Sequence, residues 1–464
     1  MIKHQHALLW MRRDLRLNDH VALYHACQQA KKVSLVFVFD DAILQPLKQK
    51  SAYDRRLQFI CESLADLQKD LMPYNSQIIL LRGKPLDEIS RFCKQNHIDA
   101  LYFNRDYSQY PRKRDAAVIK CLKSLNIISY TFQDHVLVEP DKLYNQQQKP
   151  YHVFTPYSKA WHRIMHTQKV THYEPNLNVC APVNNQACKL SDILAFSGFK
   201  QTPSFLKGGS SEALKHLKTF ASSISNYDRV RNYPDLDQTS KLSVYLRHGC
   251  VSIRQLYIFA QQHASTGSDT WINELIWREF YQMIAYHYPH IKTGAFKEKY
   301  QNLQYPNDDI HLEAWKQGQT GFPIIDAAMR CLNQTGWMHN RLRMLTASFL
   351  CKLALVHWRL GERYFAWKLL DYEFASNNGG WQWASGTGCD AAPYFRIFNP
   401  ETQSKTYDKE GRFIAKYCPE LAKFSAKDIH NPPAHLRRYY PLPIINYKQN
   451  RERALALYKA LDSQ

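Results

Sequence analysis

Four short pieces of the C-terminal half carry residue types whose spacing can do chemistry. In WINELIWREF, Trp271, Glu274, Trp277 and Arg278 fall at i, i+3, i+6 and i+7 and so share roughly one helical face. A carboxylate and a guanidinium among indoles can hold a flat polar ring by stacking and edge hydrogen bonds, and a core face with an internal Glu–Arg pair uses the same letters. In GWMHNRLRMLTASF, Asn340 and Met344 lie one turn apart, flanked by Arg341 and Arg343. An amide and a thioether beside two arginines suit an aromatic heterocycle, although a capped core helix explains them almost as well. The run Thr239, Ser240, Lys241, Leu242, Ser243 offers hydroxyls, amides and one ammonium at an expected helix start. That is an anion site in miniature, or simply an N-cap. The fourth piece is LLDYEFASNNGGWQW. Its acidic residues precede two asparagines, two glycines and two tryptophans in the eight residues 376–383. Glycine weakens helix and strand, and asparagine prefers caps and turns, so this stretch reads as a loop that carries two indoles.

The rest of the chain must position these pieces. At 464 residues it is too long for one ordinary core, so two or more domains are expected. No run of 18 apolar residues occurs, which argues against a membrane span, and MIKHQHALLWMRRDL lacks the features of a signal peptide. The 11 cysteines are scattered without a CxxC pair, which suits reduced thiols in a cytoplasm and points to no metal site. Lysine and arginine number 61 against 41 acids, giving a net charge of +20. A field of that sign attracts phosphate polymers. A merely basic protein or an anionic membrane surface would also account for it, but no polybasic run stands out, so nucleic acid leads.

From 6 to about 135, the apolar runs HALLWMRR, VSLVFVFD, SQIILLRG, ALYFNRDY and IISYTFQD alternate with helical spacing. This predicts a doubly wound α/β domain with a buried parallel sheet over 1–135. It has neither GxGxxG nor GxxxxGK[ST], so neither phosphate-cradling fingerprint applies. Residues 136–205 read as a connector rich in Pro, Asn and Gln, with short helices only. Residues 206–464 read as an all-helical domain holding eight of the ten tryptophans.

Together, WMRRDLRLNDHVAL, WINELIWREFY, TGFPIIDAAMRCLNQTGWMHNRLRM and NNGGWQWASGTGCDAAPYFRIFNP resemble the photolyase/cryptochrome flavoproteins over nearly the whole chain. The match is to the class I cyclobutane pyrimidine dimer photolyases in particular. The resemblance implies an antenna-holding α/β domain, a connector, and a helical domain that binds FAD and DNA. Tyr227 and Thr239 through Ser243 then correspond to phosphate and ribityl contacts of the flavin. Trp271, Tyr372, and the acidic residues Asp371 and Glu373 join that cofactor set, with Arg343 paired to Asp371. Glu373 is one methylene longer than the family's usual aspartate. Asn377 corresponds to the residue opposite flavin N5.

Trp381, Trp358 and Tyr305 correspond to a chain that re-reduces the flavin from the surface, with Tyr305 where many relatives have tryptophan. Trp277 and Trp383 correspond to the rings that hold a flipped-out thymine dimer. Glu274, Asn340 and Met344 lie at its polar edge, and Arg231, Arg278, Arg341 and Arg396 face DNA. The partner implied is double-stranded DNA containing pyrimidine dimers, met by a cytoplasmic, nucleoid-associated monomer.

A (6-4) photolyase would carry histidines at 340 and 344, and a cryptochrome-type sensor often has aspartate or cysteine at 377 and a long tail. A second chromophore is expected in the N-terminal domain. Methenyltetrahydrofolate leads, with Lys292 able to serve it, but Pro111 stands where folate-binding relatives have glutamate, and a deazaflavin, a second flavin or an empty pocket stay open.

Overall fold

A computed structural model describes residues 2–182 and 189–461, so Cys188 and part of the Pro/Asn/Gln-rich connector lie outside the described residues. The five apolar runs are five strands: β1 (His4–Met11), β2 (Ala30–Asp40), β3 (Ile78–Gly83), β4 (Ala100–Asn104) and β5 (Ile128–Phe132). All pair in parallel, in the order β3-β2-β1-β4-β5. β1 and β2 are central and covered by helices, which is why their runs are apolar on both faces. Leu8, Trp10, Val36, Leu101 and Phe103 pack on the Ile89, Phe92, Val118 and Leu122 side chains of two covering helices.

The chain groups into two compact units. The first comprises 1–147, 158–225 and 240–286, and the second 148–157, 226–239 and 287–464. In the first unit, the signature WMRRDLRLND turns out to be a buried ion network. Arg254 bonds both carboxylate oxygens of Asp19 at 3.1 Å, and Asp134 accepts from Arg16 at 2.6 Å and from Arg254 at 2.8 Å. Burial alone would penalise the Asp134 carboxylate, but the Arg16 and Arg254 guanidiniums hold it far below the ordinary range. The connector contains helices Phe154–Thr167 and Leu190–Ser197.

The second unit is helical around one core, in which Trp315, Ile325, Leu342, Phe349, Leu350, Phe365 and Trp381 are buried. The loop expected over 376–383 is instead part of a helix, Phe374–Ser385. Tertiary bonds override its poor propensity. Asn378 Nδ2 donates to the Ile291 carbonyl at 3.1 Å, Gln382 Nε2 donates to Asn378 Oδ1 at 2.8 Å, and Gln382 Oε1 accepts from the Phe296 amide at 2.7 Å. The asparagines are thus spent on neighbouring backbone rather than on caps, and Gly386, left-handed at φ 85°, ends the helix.

Candidate cofactor and substrate site

In the first unit, the helix Thr266–His287 carries the indole–carboxylate face. The face divides. Trp271 is buried against the rings of Phe220 and Phe259, whereas Glu274, Trp277 and Arg278 are half-buried. Trp271 therefore serves the core, with no more than an edge available to a ligand. Arg278 is tied by Nη1 to the His135 carbonyl at 2.6 Å, and Trp277 packs on the Phe280 and Tyr281 rings. Glu279, next in sequence, is structural: it accepts from the Leu137 and Val138 amides and from Trp161 Nε1. The helix Leu242–His248 begins at Lys241, which holds a left-handed φ of 54°. That conformation is uncommon for lysine and turns the Ser240–Leu242 backbone sharply, with Ser240 Oγ accepting from the Leu242 amide at 3.3 Å.

In the second unit, Arg343 makes a two-bond pair with Asp371, 3.1 Å from Nη1 to Oδ1 and 2.8 Å from Nη2 to Oδ2. Glu373 is buried at the N-cap of Phe374–Ser385, and Tyr372 packs on the core. One turn on, Asn377 donates its amide nitrogen to the Glu362 carbonyl at 3.1 Å, which leaves its amide oxygen as the acceptor it offers. Asn340 is exposed at the start of the helix Asn340–Lys352 and Met344 is half-buried one turn later. Arg341 lies 4.4 Å over the Tyr407 ring and donates to Asn232 Oδ1 at 2.7 Å. Much of its charge is used inside the protein rather than presented outward. Arg231 lies over Tyr227, and Arg396 is exposed beside Phe395, which is 62% exposed.

Trp381 and Trp358 are both buried, and Tyr305 is 8% exposed. Trp358 stacks on His357 (5.8 Å), and His357 meets Tyr305 edge-on (5.2 Å). Two rings that sequence reasoning did not single out, Trp315 and Phe365, flank Trp381 at 5.9 and 5.0 Å. Their signal is faint, because a tryptophan at helical spacing reads equally as core.

Residues 7–176 match the family model for DNA photolyase, and residues 271–460 match that for the FAD binding domain of DNA photolyase. The deoxyribodipyrimidine photo-lyase of Alkalihalophilus pseudofirmus is 37% identical, covering 98% of each chain, and that of Escherichia coli is 36% identical over the same shares. The chain belongs to the DNA photolyase family. Among solved structures, it is similar to a bacterial class III photolyase from Agrobacterium tumefaciens (TM-score 0.90, 30% identity, covering 100% of this chain and 99% of that one). It is also similar to an archaeal photolyase from Sulfolobus tokodaii that holds two FAD molecules (TM-score 0.84, 32% identity, 98% and 100%). A Synechocystis cryptochrome shares the architecture (TM-score 0.86, 26% identity, 98% and 99%).

The photolyase cofactor fits the residues present. Thr239 Oγ1 is buried with no hydrogen-bond partner among the described residues, a donor suited to a phosphate or ribityl oxygen. The space beside Gly380 is open where a β-carbon would point, so the helix surface next to Asn377 admits close approach. Among the described residues no cluster of His, Cys, Asp or Glu could hold a metal, and no helix is long and apolar enough to cross a membrane.

Proposed function

We propose that the protein repairs cyclobutane pyrimidine dimers in DNA, using light-driven electron transfer from reduced FAD to a dimer flipped out of the duplex. Asn377 carries this reading. Its amide nitrogen is committed to Glu362, so its oxygen accepts a proton-bearing ring nitrogen, which suits a reduced flavin with a protonated N5. An aspartate there, as in many light sensors, would present a charge instead.

When bound, FAD supplies the one-electron chemistry that side chains lack. The residues of this chain bind and orient. Tyr227 with Thr239, Ser240, Lys241, Leu242 and Ser243 holds the phosphate and ribityl part. Arg343, locked to Asp371, holds the polar flavin edge together with Glu373 and Tyr372, and Trp271 joins the cofactor set by family likeness. Trp277 and Trp383 stack the two pyrimidines, Glu274 hydrogen-bonds their polar edge, and Asn340 and Met344 line it. Arg231, Arg278, Arg341 and Arg396 contribute to the cationic field that holds the phosphate backbone. Trp381 is the first donor when oxidised flavin is returned to the reduced form by light. Phe395 stands exposed beside Arg396, as a wedge against base steps would.

A (6-4) activity is disfavoured by His339. This neighbour of Asn340 is buried, spends Nδ1 on the Arg341 amide at 3.1 Å, and has its pKa lowered to about 4 by burial and by Arg341 and Arg343. Its neutral form is favoured, and Asn340 and Met344 stand where that chemistry calls for histidines.

The domain roles follow the sequence: residues 1–135 house an antenna chromophore, with methenyltetrahydrofolate the leading candidate, Lys292 is exposed, and 206–464 bind FAD and DNA. The protein acts as a cytoplasmic, nucleoid-associated monomer. The deciding experiment incubates purified, FAD-loaded protein with oligonucleotides carrying a cis-syn thymine dimer or a (6-4) product. Reversal of the dimer to two thymines under blue light and not in darkness is expected. Repair in the dark, or of the (6-4) product alone, would overturn the reading.

A further inference from the structure

The ring contacts leading from Trp381 towards solvent follow a second line, and its end differs chemically from the end at Tyr305. Trp381 meets Trp315 edge-on at 5.9 Å, Trp315 meets Tyr364 at 5.7 Å, and Tyr364 meets Trp367 at 6.1 Å. Trp381 and Trp315 are buried, whereas Trp367 is 40% exposed and is the one exposed tryptophan among the described residues. We propose that Trp367, reached through Trp315 and Tyr364, is the terminal electron donor for photoreduction of the flavin, rather than Tyr305. The proposal rests on the reading of Trp381 as first donor.

A phenol can be oxidised at moderate potential only if its proton leaves with the electron. Tyr458 spends its single hydrogen on the Ser385 carbonyl at 2.6 Å, so in the 2.9 Å contact between the two phenols Tyr305 is the donor. The group that would have to take the Tyr305 proton is therefore another phenol, itself buried, which is a poor base. Burial and the Tyr458 contact push the Tyr305 pKa well above the ordinary value. A hole arriving at Trp358 is therefore not trapped at Tyr305 and returns to Trp381.

On the other line, Tyr364 does not hold the hole either. Its hydroxyl is fixed on Asn333 Oδ1 (2.6 Å) and the Lys316 carbonyl (3.1 Å), and the Lys316 and Lys368 ammoniums lie 6.0 and 5.5 Å from its ring. It acts as a bridge. The electron lost by Trp381 is replaced by one from Trp315, and Trp315 recovers one from Trp367 across the Tyr364 ring. Lys368 Nζ, 4.5 Å over the Trp367 ring, opposes an indole radical cation there. Exposure resolves this, because the radical cation releases its N–H proton to water and becomes a neutral radical, which the ammonium no longer repels. One hydrogen atom from an external thiol then restores Trp367, so each electron gained by the flavin is matched by one thiol oxidised.

The test uses FAD-loaded protein with Trp367→Phe, Tyr305→Phe and Trp381→Phe, each checked for FAD content and melting temperature. Three readouts are used: transient absorption of tryptophanyl radicals, the yield of photoreduced flavin with thiol present, and peptide mapping after illumination with a radical-trapping nitroso compound. Trp367→Phe should shorten the radical lifetime and cut the yield severalfold, with the trap adduct in wild type located at Trp367. Tyr305→Phe should leave all three near wild type. Loss of yield in Tyr305→Phe, or an adduct at tyrosine with Trp367→Phe unaffected, would overturn the proposal. If Trp381→Phe still photoreduces, the fault lies with the first-donor reading instead. Repair by Trp367→Phe whose flavin is reduced chemically beforehand should match wild type, and impaired repair would assign Trp367 a structural role and sink the proposal.

Discussion

The edge of the Trp381 indole rests on the backbone of Gly361, one helical turn after Trp358. A β-carbon at 361 would overlap that ring and touch Leu350. The glycine therefore sets how closely the helix Trp358–Lys368 can approach the helix Phe374–Ser385, and it brings the backbone next to Trp358 against Trp381. Electron transfer between indoles falls steeply with separation, so the residue that permits contact matters as much as the rings.

Gly361→Ala should accordingly destabilise the protein by about 1–3 kcal/mol, as overpacking of a filled core does. It should also lower the photoreduction yield by displacing Trp381. Urea denaturation and steady-state bleaching of flavin absorbance measure the two effects separately. A variant that is destabilised but photoreduces normally would show that Trp381 keeps its place while other side chains yield.

Glu274 lies half-buried on the same face as Trp277, with Trp271 turned into the core. Glu274→Ala should lower the quantum yield of dimer repair while FAD content stays near one per chain, as the proposed role of this residue at the substrate requires. Absorbance of the purified variant and dimer-reversal assays under single-wavelength light test this. Loss of FAD would reassign the residue to cofactor retention.

DNA affinity should fall steeply with salt, since each lysine or arginine that neutralises a phosphate releases condensed counterions. Arg396→Glu should weaken binding to damaged and undamaged duplex alike. Trp277→Ala should instead cost about 1–3 kcal/mol of preference for damaged DNA through lost stacking, with undamaged binding preserved. Fluorescence anisotropy across a salt series separates the two. An Arg396→Glu loss confined to damaged DNA would show that this side chain reads the lesion.

The sheet was legible because buried parallel strands read as short apolar runs of β-branched and aromatic residues, such as VSLVFVFD, and five of them alternate here with segments of helical spacing. The helix Phe374–Ser385 was not, because its stability comes from partners distant in sequence, Ile291, Phe296 and Glu362, which no local pattern reveals. The Arg343–Asp371 pair was anticipated from family likeness, and the structure supplies its two bonds. Asp326, inside the motif TGFPIIDAAM, accepts from Thr320, the Gly321 amide and Tyr440 and holds a turn closed, a structural task that the motif itself does not reveal. Trp315 and Trp367 differ in burial alone, and burial is a property of the whole fold. The same holds for Lys352. Nothing in SFLCKLAL marks its lysine as an interior group.

Lys352 is 1% exposed, and its ammonium donates to the Arg396 carbonyl at 3.1 Å, with the Pro393 carbonyl at 3.5 Å. It ties down the segment that presents Phe395 and Arg396. Burial lowers its pKa from 10.5 to about 8, only partly offset by the neighbouring Cys351. Below pH 8 both folded and unfolded chains carry the charge, and the folded state bears the full cost of burying it. Between about 8 and 10.5 the unfolded chain holds the proton that the folded one sheds, so stability attributable to this group rises with pH, by on the order of 3 kcal/mol in full. Lys352→Met removes that dependence. The stability of wild type relative to Lys352→Met, from urea denaturation at about pH 7.5 and about pH 9.5, should therefore increase towards the alkaline end. Working on the difference between the two proteins cancels the tyrosines and thiols they share. At either pH the variant should bind duplex DNA more weakly, because the Arg396 segment loses its anchor. A stability difference that is flat with pH would mean that Lys352 reaches solvent when charged, and unchanged DNA affinity would mean that the segment is held by other contacts.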